Sequence, residues 1–460
     1  MQRLLAINVS KALHRIVFHI TTKKSLSVIA AITASLFIAW ASYYMGAYKV
    51  MYTITWDVAG YYMYLPSVFY DWFTNPQNVG YIMENYRPMP EWYGTIKLGN
   101  GNQVMRYTGG QAIMYTPAFF IAHIWAKISG YPVDGFSYPY QFCLNWWSTL
   151  VAIAGIWIMR LNLLKHYGEV AVGITLLIIP FATNFISYAT WSSPMTHCYL
   201  FTLYSLLIFF NQKFYQSQTI KWSVLIGLIC GLITLTRFTD GICLLIPFLW
   251  GLHINKNVLN SVLNRVNNKH YYIMLLLFVA IVSIQLLYWK KVTGEWYFHV
   301  YWGEYLDFTN IYFFKGLFSY ERGWLTYSPI MWLAILGVIY LWIKQSEFAL
   351  SVTLFVAINI SIVLSWNNWN YGGGYGHRAM IQSYAILCFP LAAMIQLLLK
   401  KFPTRYFLIV SVAILSWVNC GMALGKYLPA SGITKQYFWH VWGKWKIEPG
   451  AEKLLNKESE

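Results

Sequence analysis

Apolar runs of spanning length divide this chain at about 25–46, 138–159, 170–188, 195–211, 222–236, 238–254, 271–289, 325–343, 347–366, 379–399 and 406–425. A bilayer core is about 30 Å thick and offers backbone N–H and C=O groups no water, so such runs become helices that satisfy their own hydrogen bonds. The predicted fold is therefore all-α: a polytopic membrane protein of about eleven transmembrane helices, with interfacial helices in its first long loop. A chain of 460 residues that is 58% hydrophobic and 11% charged excludes the soluble classes.

Charge decides how the runs are threaded. A further run, Gly110 to Gly130, contains Tyr115, Pro117, His123 and Lys127, and reads either as a span or as a segment that enters and returns. If it does not cross, residues 1–24 share one side with the connections carrying Arg160, Lys165, Lys213, Lys221, Lys256, Arg265, Lys269, Lys344, Lys400, Lys401 and Arg405. That side then holds 16 of the 33 Lys and Arg but only Glu169 and Glu347 of the 16 acidic residues. Its net charge is +14, against +3 opposite, and positive charge favours the cytoplasm. The expected organisation is a basic cytoplasmic segment 1–24, a membrane domain 25–425 with outer loops 47–137 and 290–324, and an outer tail 426–460. This places the protein in the cell inner membrane, N-terminus cytoplasmic and C-terminus outside. The run after residue 24 lacks a small-residue cleavage pattern and is read as a retained span. The net charge of +17 is scattered through short connections, which excludes a nucleic-acid stripe. The six cysteines lack paired spacing, so neither a disulfide framework nor a metal site is expected.

On the outer side, one carboxylate stands where a span has just reached water, in Trp56-Asp57-Val58-Ala59-Gly60-Tyr61-Tyr62-Met63-Tyr64-Leu65-Pro66-Ser67. The spacing of Asp57, Tyr61, Pro66 and Asp71 predicts an interfacial helix that begins near Asp57 and is kinked or ended at Pro66. Asp57 reads as a helix cap or as a catalytic base, and the two roles can coexist. Burial against Trp56, Tyr61 and Tyr62 is expected to raise its basicity. His197, Arg237 with Asp240, Arg322, His377 and Arg378 stand at the outer ends of other spans, where charge is costly. Each has a structural reading of its own: a core histidine, an i to i+3 ion pair, or arginines reaching headgroups. Together they read as cations converging on an anionic group beside one carboxylate.

Five stretches carry a resemblance: Asp57-x-x-x-Tyr61-Tyr62-x-Tyr64-Leu65-Pro66; Ser193-Pro194-Met195-Thr196-His197; Gly231 to Arg237; Phe318 to Pro329, including Glu321-Arg322-Gly323; and Trp369 to Arg378, with its glycine patch. Their order resembles the GT-C membrane glycosyltransferases, particularly bacterial proteins similar to protein mannosyltransferases and lipid A aminoarabinose transferases. The resemblance covers roughly residues 25–400. It implies a glycosyltransferase that takes a sugar from a polyprenyl-phosphate donor at the periplasmic face, with Asp57 as the catalytic base. It also implies a lipid, glycan or protein acceptor, and substrate contacts from Tyr61, Tyr62, His197, Arg237, Arg322, His377 and Arg378. Many relatives carry a second acidic residue where this chain has Val58. No metal ligand is therefore assigned, and a divalent metal is the one cofactor the resemblance admits. No large soluble domain follows the last span, so the acceptor is not identified.

Two other classes share parts of this pattern. A transporter or lipid flippase would carry ionisable or broken helices near the midplane, and Pro180, Pro247 and Pro390 do interrupt spans. A polysaccharide polymerase or ligase would need the same cationic outer face and differs only at the Asp57 stretch.

Overall fold

A computed structural model describes residues 25–70, 77–90, 94–99, 101–254, 257–301, 303–425, 429 and 431–456. The expectations for residues 1–24 and for Asp71 lie outside these. Five helices, Leu26–Met45, Tyr138–Leu163, Lys269–Thr293, Arg378–Leu398 and Phe402–Gly425, are long and apolar enough to cross a membrane. Thr196–Gln216 matches them in length.

Several predicted spans are not single helices. The 170–188 run divides into Glu169–Phe181 and Phe185–Ala189. The 325–343 run divides into Trp324–Tyr327, a 3-10 turn Pro329–Met331, and Trp332–Ile343. One buried polar knot accounts for both breaks. Asn184 takes the Tyr384 hydroxyl at 2.6 Å on its side-chain oxygen, and its own N–H donates to Ser328 Oγ at 3.1 Å. Pro329 then removes a donor where the second helix would continue. The 238–254 run is a 3-10 turn, Phe238–Leu244, leading into the short helix Leu245–Leu249. The expected eleven uniform spans are thus a mixture of long helices and shorter broken ones.

The bundle has two distinct ends. At one, Arg160 Nε donates to Ser27 Oγ at 2.7 Å and the guanidinium lies 3.9 Å from Glu169. The same end joins Gly168 to Gln396 at 2.9 Å and Gly251 to the Glu347 carbonyl at 2.7 Å. Helix Leu26–Met45 starts there and helix Tyr138–Leu163 finishes there. At the other end, the Ile54 N–H donates to Gln141 Oε1 at 2.8 Å. The chain therefore leaves the first helix and enters the next long one at the same end. Between them Gly110–Ser129 is one helix that does not turn back on itself. It runs antiparallel to the first half of Tyr138–Leu163: Trp147 donates to the Met114 carbonyl at 2.9 Å, and Tyr140 meets His123 at 2.9 Å.

Close helix crossings use glycine. A Cβ on Gly337 would stand 2.2 Å from the Pro390 carbonyl oxygen, and one on Gly110 would stand 2.4 Å from the Thr236 nitrogen. The all-helical expectation also misses a small antiparallel hairpin, Thr95–Lys97 with Gln103–Met105, Ile96 facing Val104. Arg106 and Tyr107 follow directly from its second strand.

Candidate active site

Asp57 is the second residue of a seven-residue helix, Trp56–Tyr62. Trp56 enters the helix at φ 48°, a left-handed conformation uncommon for a residue with a side chain, and its N–H donates to the Pro88 carbonyl at 2.8 Å. That turn sets where Asp57 points. The helix ends at Met63, before Pro66, which lies in the first turn of the next helix, Tyr64–Tyr70, where a missing N–H costs least. In place of the expected kink or end at Pro66, the helix breaks at Met63, three residues earlier.

The Asp57 carboxylate is buried, and both oxygens meet partners far away in sequence. The Tyr107 hydroxyl donates to Oδ1 at 2.6 Å, and Arg378 Nη2 lies 3.0 Å from Oδ2. The expected cover differs in detail. Trp56 is 56% exposed, so it shields little. Tyr62 turns the other way, its hydroxyl donating to the Gly135 carbonyl at 2.5 Å and its ring lying edge-on to Phe136. Cover comes from Tyr61, whose ring centroid is 4.4 Å from that of Tyr107, and from Tyr301, which meets Tyr107 edge-on at 6.1 Å. Burial first, then the charge of Asp57, lifts the phenols of Tyr61 and Tyr301 above their usual range. Both are therefore neutral hydrogen-bond donors.

Arg378 opens the 3-10 turn Arg378–Ser383 directly after the glycine patch. The patch lets the backbone come close: a Cβ on Gly374 would stand 2.3 Å from the Tyr188 hydroxyl, which accepts the Tyr375 N–H at 3.1 Å. Arg237 joins helix Ile220–Thr236 to the following 3-10 turn. The local ion pair exists, with Nε 3.7 Å from Asp240 Oδ2, and Tyr204 donates to the other Asp240 oxygen at 2.7 Å. The Arg237 guanidinium also lies over the Tyr371 ring at 5.5 Å. It is near enough to act electrostatically on Tyr61, Tyr301, His197 and His377. His197 lies edge-on to Tyr188 at 5.2 Å, and His377 meets Tyr371 at 5.4 Å. Burial, with Arg237 and Arg378 alongside, pushes the His377 imidazole down to about 3.

Arg322 departs from the set. It is fully buried, and its guanidinium donates to the carbonyls of Glu321 and Pro429 at 2.7 Å and of Gly372 at 3.4 Å. These bonds tie the loop before Trp324, the glycine patch and the tail together. Two residues not singled out in the sequence stand in the site instead. Tyr107 holds Asp57, and Arg106 reaches Glu304 at 3.9 Å while lying over the Tyr301 ring at 5.7 Å. Among the described residues no three His, Cys, Asp or Glu side chains come together. With a phenol on one Asp57 oxygen and a guanidinium on the other, the described residues do not fit a divalent metal.

No protein-family model and no curated protein matches the sequence. Solved structures do. The apo oligosaccharyltransferase of Archaeoglobus fulgidus is 12% identical and superposes over 94% of this chain and 59% of its own, with a TM-score of 0.50. ArnT from Cupriavidus metallidurans bound to undecaprenyl phosphate is 14% identical over 88% of this chain and 67% of its own, at 0.47. The archaeal oligosaccharyltransferase AglB in complex with an inhibitory peptide and a dolichol-phosphate is 12% identical over 93% and 58%, at 0.49. This chain thus spans about three-fifths of the length of the oligosaccharyltransferases it resembles. At such identity the likeness is one of fold alone, the fold shared with the Archaeoglobus fulgidus oligosaccharyltransferase.

Proposed function

We propose that this chain is an integral membrane glycosyltransferase that moves a sugar from a polyprenyl-phosphate donor to a lipid, glycan or protein acceptor. Its site faces the periplasm from the inner membrane. The observation that carries this reading is the Asp57–Arg378 pair at 3.0 Å with Arg237 close by, at the end of the bundle opposite the basic connections. The shared fold supports it.

The chemistry follows from those groups. The acceptor oxygen bonds to the anomeric carbon as the bond from that carbon to the phosphate oxygen breaks, and the phosphate leaves with the electron pair. Arg378 and Arg237 offer planar forks that match phosphate oxygens. Asp57 takes the acceptor hydroxyl proton. In the resting site Arg378 occupies the base, so an incoming phosphate competes with Asp57 for the same guanidinium. As the phosphate draws Arg378 away, the carboxylate loses its counter-charge and becomes a stronger base. Tyr107 keeps it aimed. Arg322, committed to carbonyls, holds the wall that carries Arg378 and stays off the phosphate.

The test is transfer from radiolabelled polyprenyl-phosphate sugars by the purified protein. Asp57→Asn keeps the side chain's size and removes the proton acceptor, so turnover should fall by about 10²-fold or more. Donor affinity should hold or improve, because Arg378 is released. A well-folded Asp57→Asn protein that turns over near the wild-type rate would refute the reading.

A further inference from the structure

Three side chains near the two arginines stand out because none of their polar atoms reaches hydrogen-bond geometry within the protein. Both ring nitrogens of His197, both of His377, and the amide oxygen and nitrogen of Gln382 are buried without a hydrogen bond. The residues are 5%, 1% and 1% exposed. Gln382 faces His197, and the Trp369 main chain faces His377, closely enough to influence them without reaching hydrogen-bond geometry. Three such residues together are unusual, since buried polar side chains nearly always find partners.

The backbone places all three on one wall. His197 is the second residue of helix Thr196–Gln216, and His377 and Gln382 bracket Arg378 on the 3-10 turn. Their chemistry differs from that of the arginines beside them. A neutral imidazole has one donor and one acceptor, and an amide has both. A phosphate oxygen only accepts here, so the imidazole and amide acceptors would be left facing a like lone pair. A sugar hydroxyl donates and accepts at once and satisfies both kinds of group. Burial, with the field of Arg237 and Arg378 added to it, keeps His377 neutral, and that field also disfavours an ammonium group on the ligand.

We infer that His197, His377 and Gln382 form the sugar-binding part of the donor site, built for an uncharged sugar with free hydroxyls and against an amino sugar. The inference rests on the function proposed above and adds a substrate class to it. Full-length protein in detergent is titrated with bare undecaprenyl phosphate, with its glucose, mannose and galactose conjugates, and with a conjugate carrying an amino sugar. At least one hexose conjugate should bind about tenfold or more tighter than the bare lipid, and the amino-sugar conjugate should show no such gain. Gln382→Leu should erase the hexose gain while leaving bare-lipid affinity within about threefold. Gln382→Met serves the same purpose should the leucine variant misfold. The inference is overturned if no hexose conjugate outbinds the bare lipid, if the amino sugar gains as much as a hexose, or if the Gln382 variants keep the gain. In those cases bare-lipid binding that falls on Arg378→Lys leaves the phosphate reading standing. If the bare lipid does not bind, the function proposed above fails and takes the subsite with it.

Discussion

Arg322 and Arg378 carry the same signature in the sequence, a guanidinium at the outer end of a span, and the folded chain gives them opposite tasks. Arg378 faces a carboxylate at 3.0 Å, whereas Arg322 is surrounded by main-chain carbonyls. Arg378→Lys should therefore weaken binding of undecaprenyl phosphate by about tenfold or more, since an ammonium cannot reproduce the fork. Arg322→Lys should lower the melting temperature and leave that affinity near wild type, because lysine cannot bridge three carbonyls. Binding titrations and thermal melts of the two variants distinguish these outcomes. Asp57, Arg237, His197, His377 and Arg378 were legible in the sequence because ionisable groups are rare among apolar residues and so draw attention. Tyr107 was not: it is one of 37 tyrosines, and its separation of 50 positions from Asp57 hides the contact. Gln382 was equally silent, since its meaning comes from having no partner, which only the packed structure reveals.

The helix Gly110–Ser129 shows how an element that supplies no charged group to the site positions one of its residues. Its first residue packs on the last turn of helix Ile220–Thr236, immediately before Arg237, and a Cβ there would stand 2.5 Å from the Leu235 carbonyl carbon and 2.4 Å from the Thr236 nitrogen. Both obstacles are backbone, so neither can rotate aside. Gly110→Ala should destabilise the protein by about 1–3 kcal/mol, as overpacking does, and should raise the apparent Kd for the lipid phosphate by displacing Arg237. Unchanged donor affinity in a folded Gly110→Ala protein would show that the arginine is positioned independently of this contact. Elements were the most readable level of the sequence, since a run of apolar residues states its helix directly. The breaks were less readable. Pro180 and Pro329 mark two of them, but the knot ties Asn184 to Ser328 and Tyr384, which lie 144 and 200 positions further along the chain. The hairpin that delivers Tyr107 has strands of only three residues, too short for an alternating pattern to register.

At the scale of the molecule, the two ends of the bundle differ in charge. The basic connections gather at one end, and Asp57, Arg237 and Arg378 at the other. With the positive end in the cytoplasm, a reporter fused after residue 460 should be active only in its periplasmic form. A cytoplasmic signal from that fusion would reverse the siding of every site residue. The tail is part of this architecture. The Pro429 carbonyl accepts from Arg322, Phe438 packs edge-on against Tyr327 at 5.3 Å, and the Asn456 N–H closes on the Gly432 carbonyl at 2.9 Å. Translation reaches these residues after the long helices through Phe402–Gly425 have been made, so Arg322 and the glycine patch it braces must wait for them. If the function and siding proposed above hold, the nascent chain inserts with its arginine wall unfinished and binds lipid phosphate only once the segment from residue 429 onward has been exported and has folded back. Export of the tail would then be the maturation step, and a ribosome stalled in that segment would leave an inserted chain that does not bind the lipid phosphate.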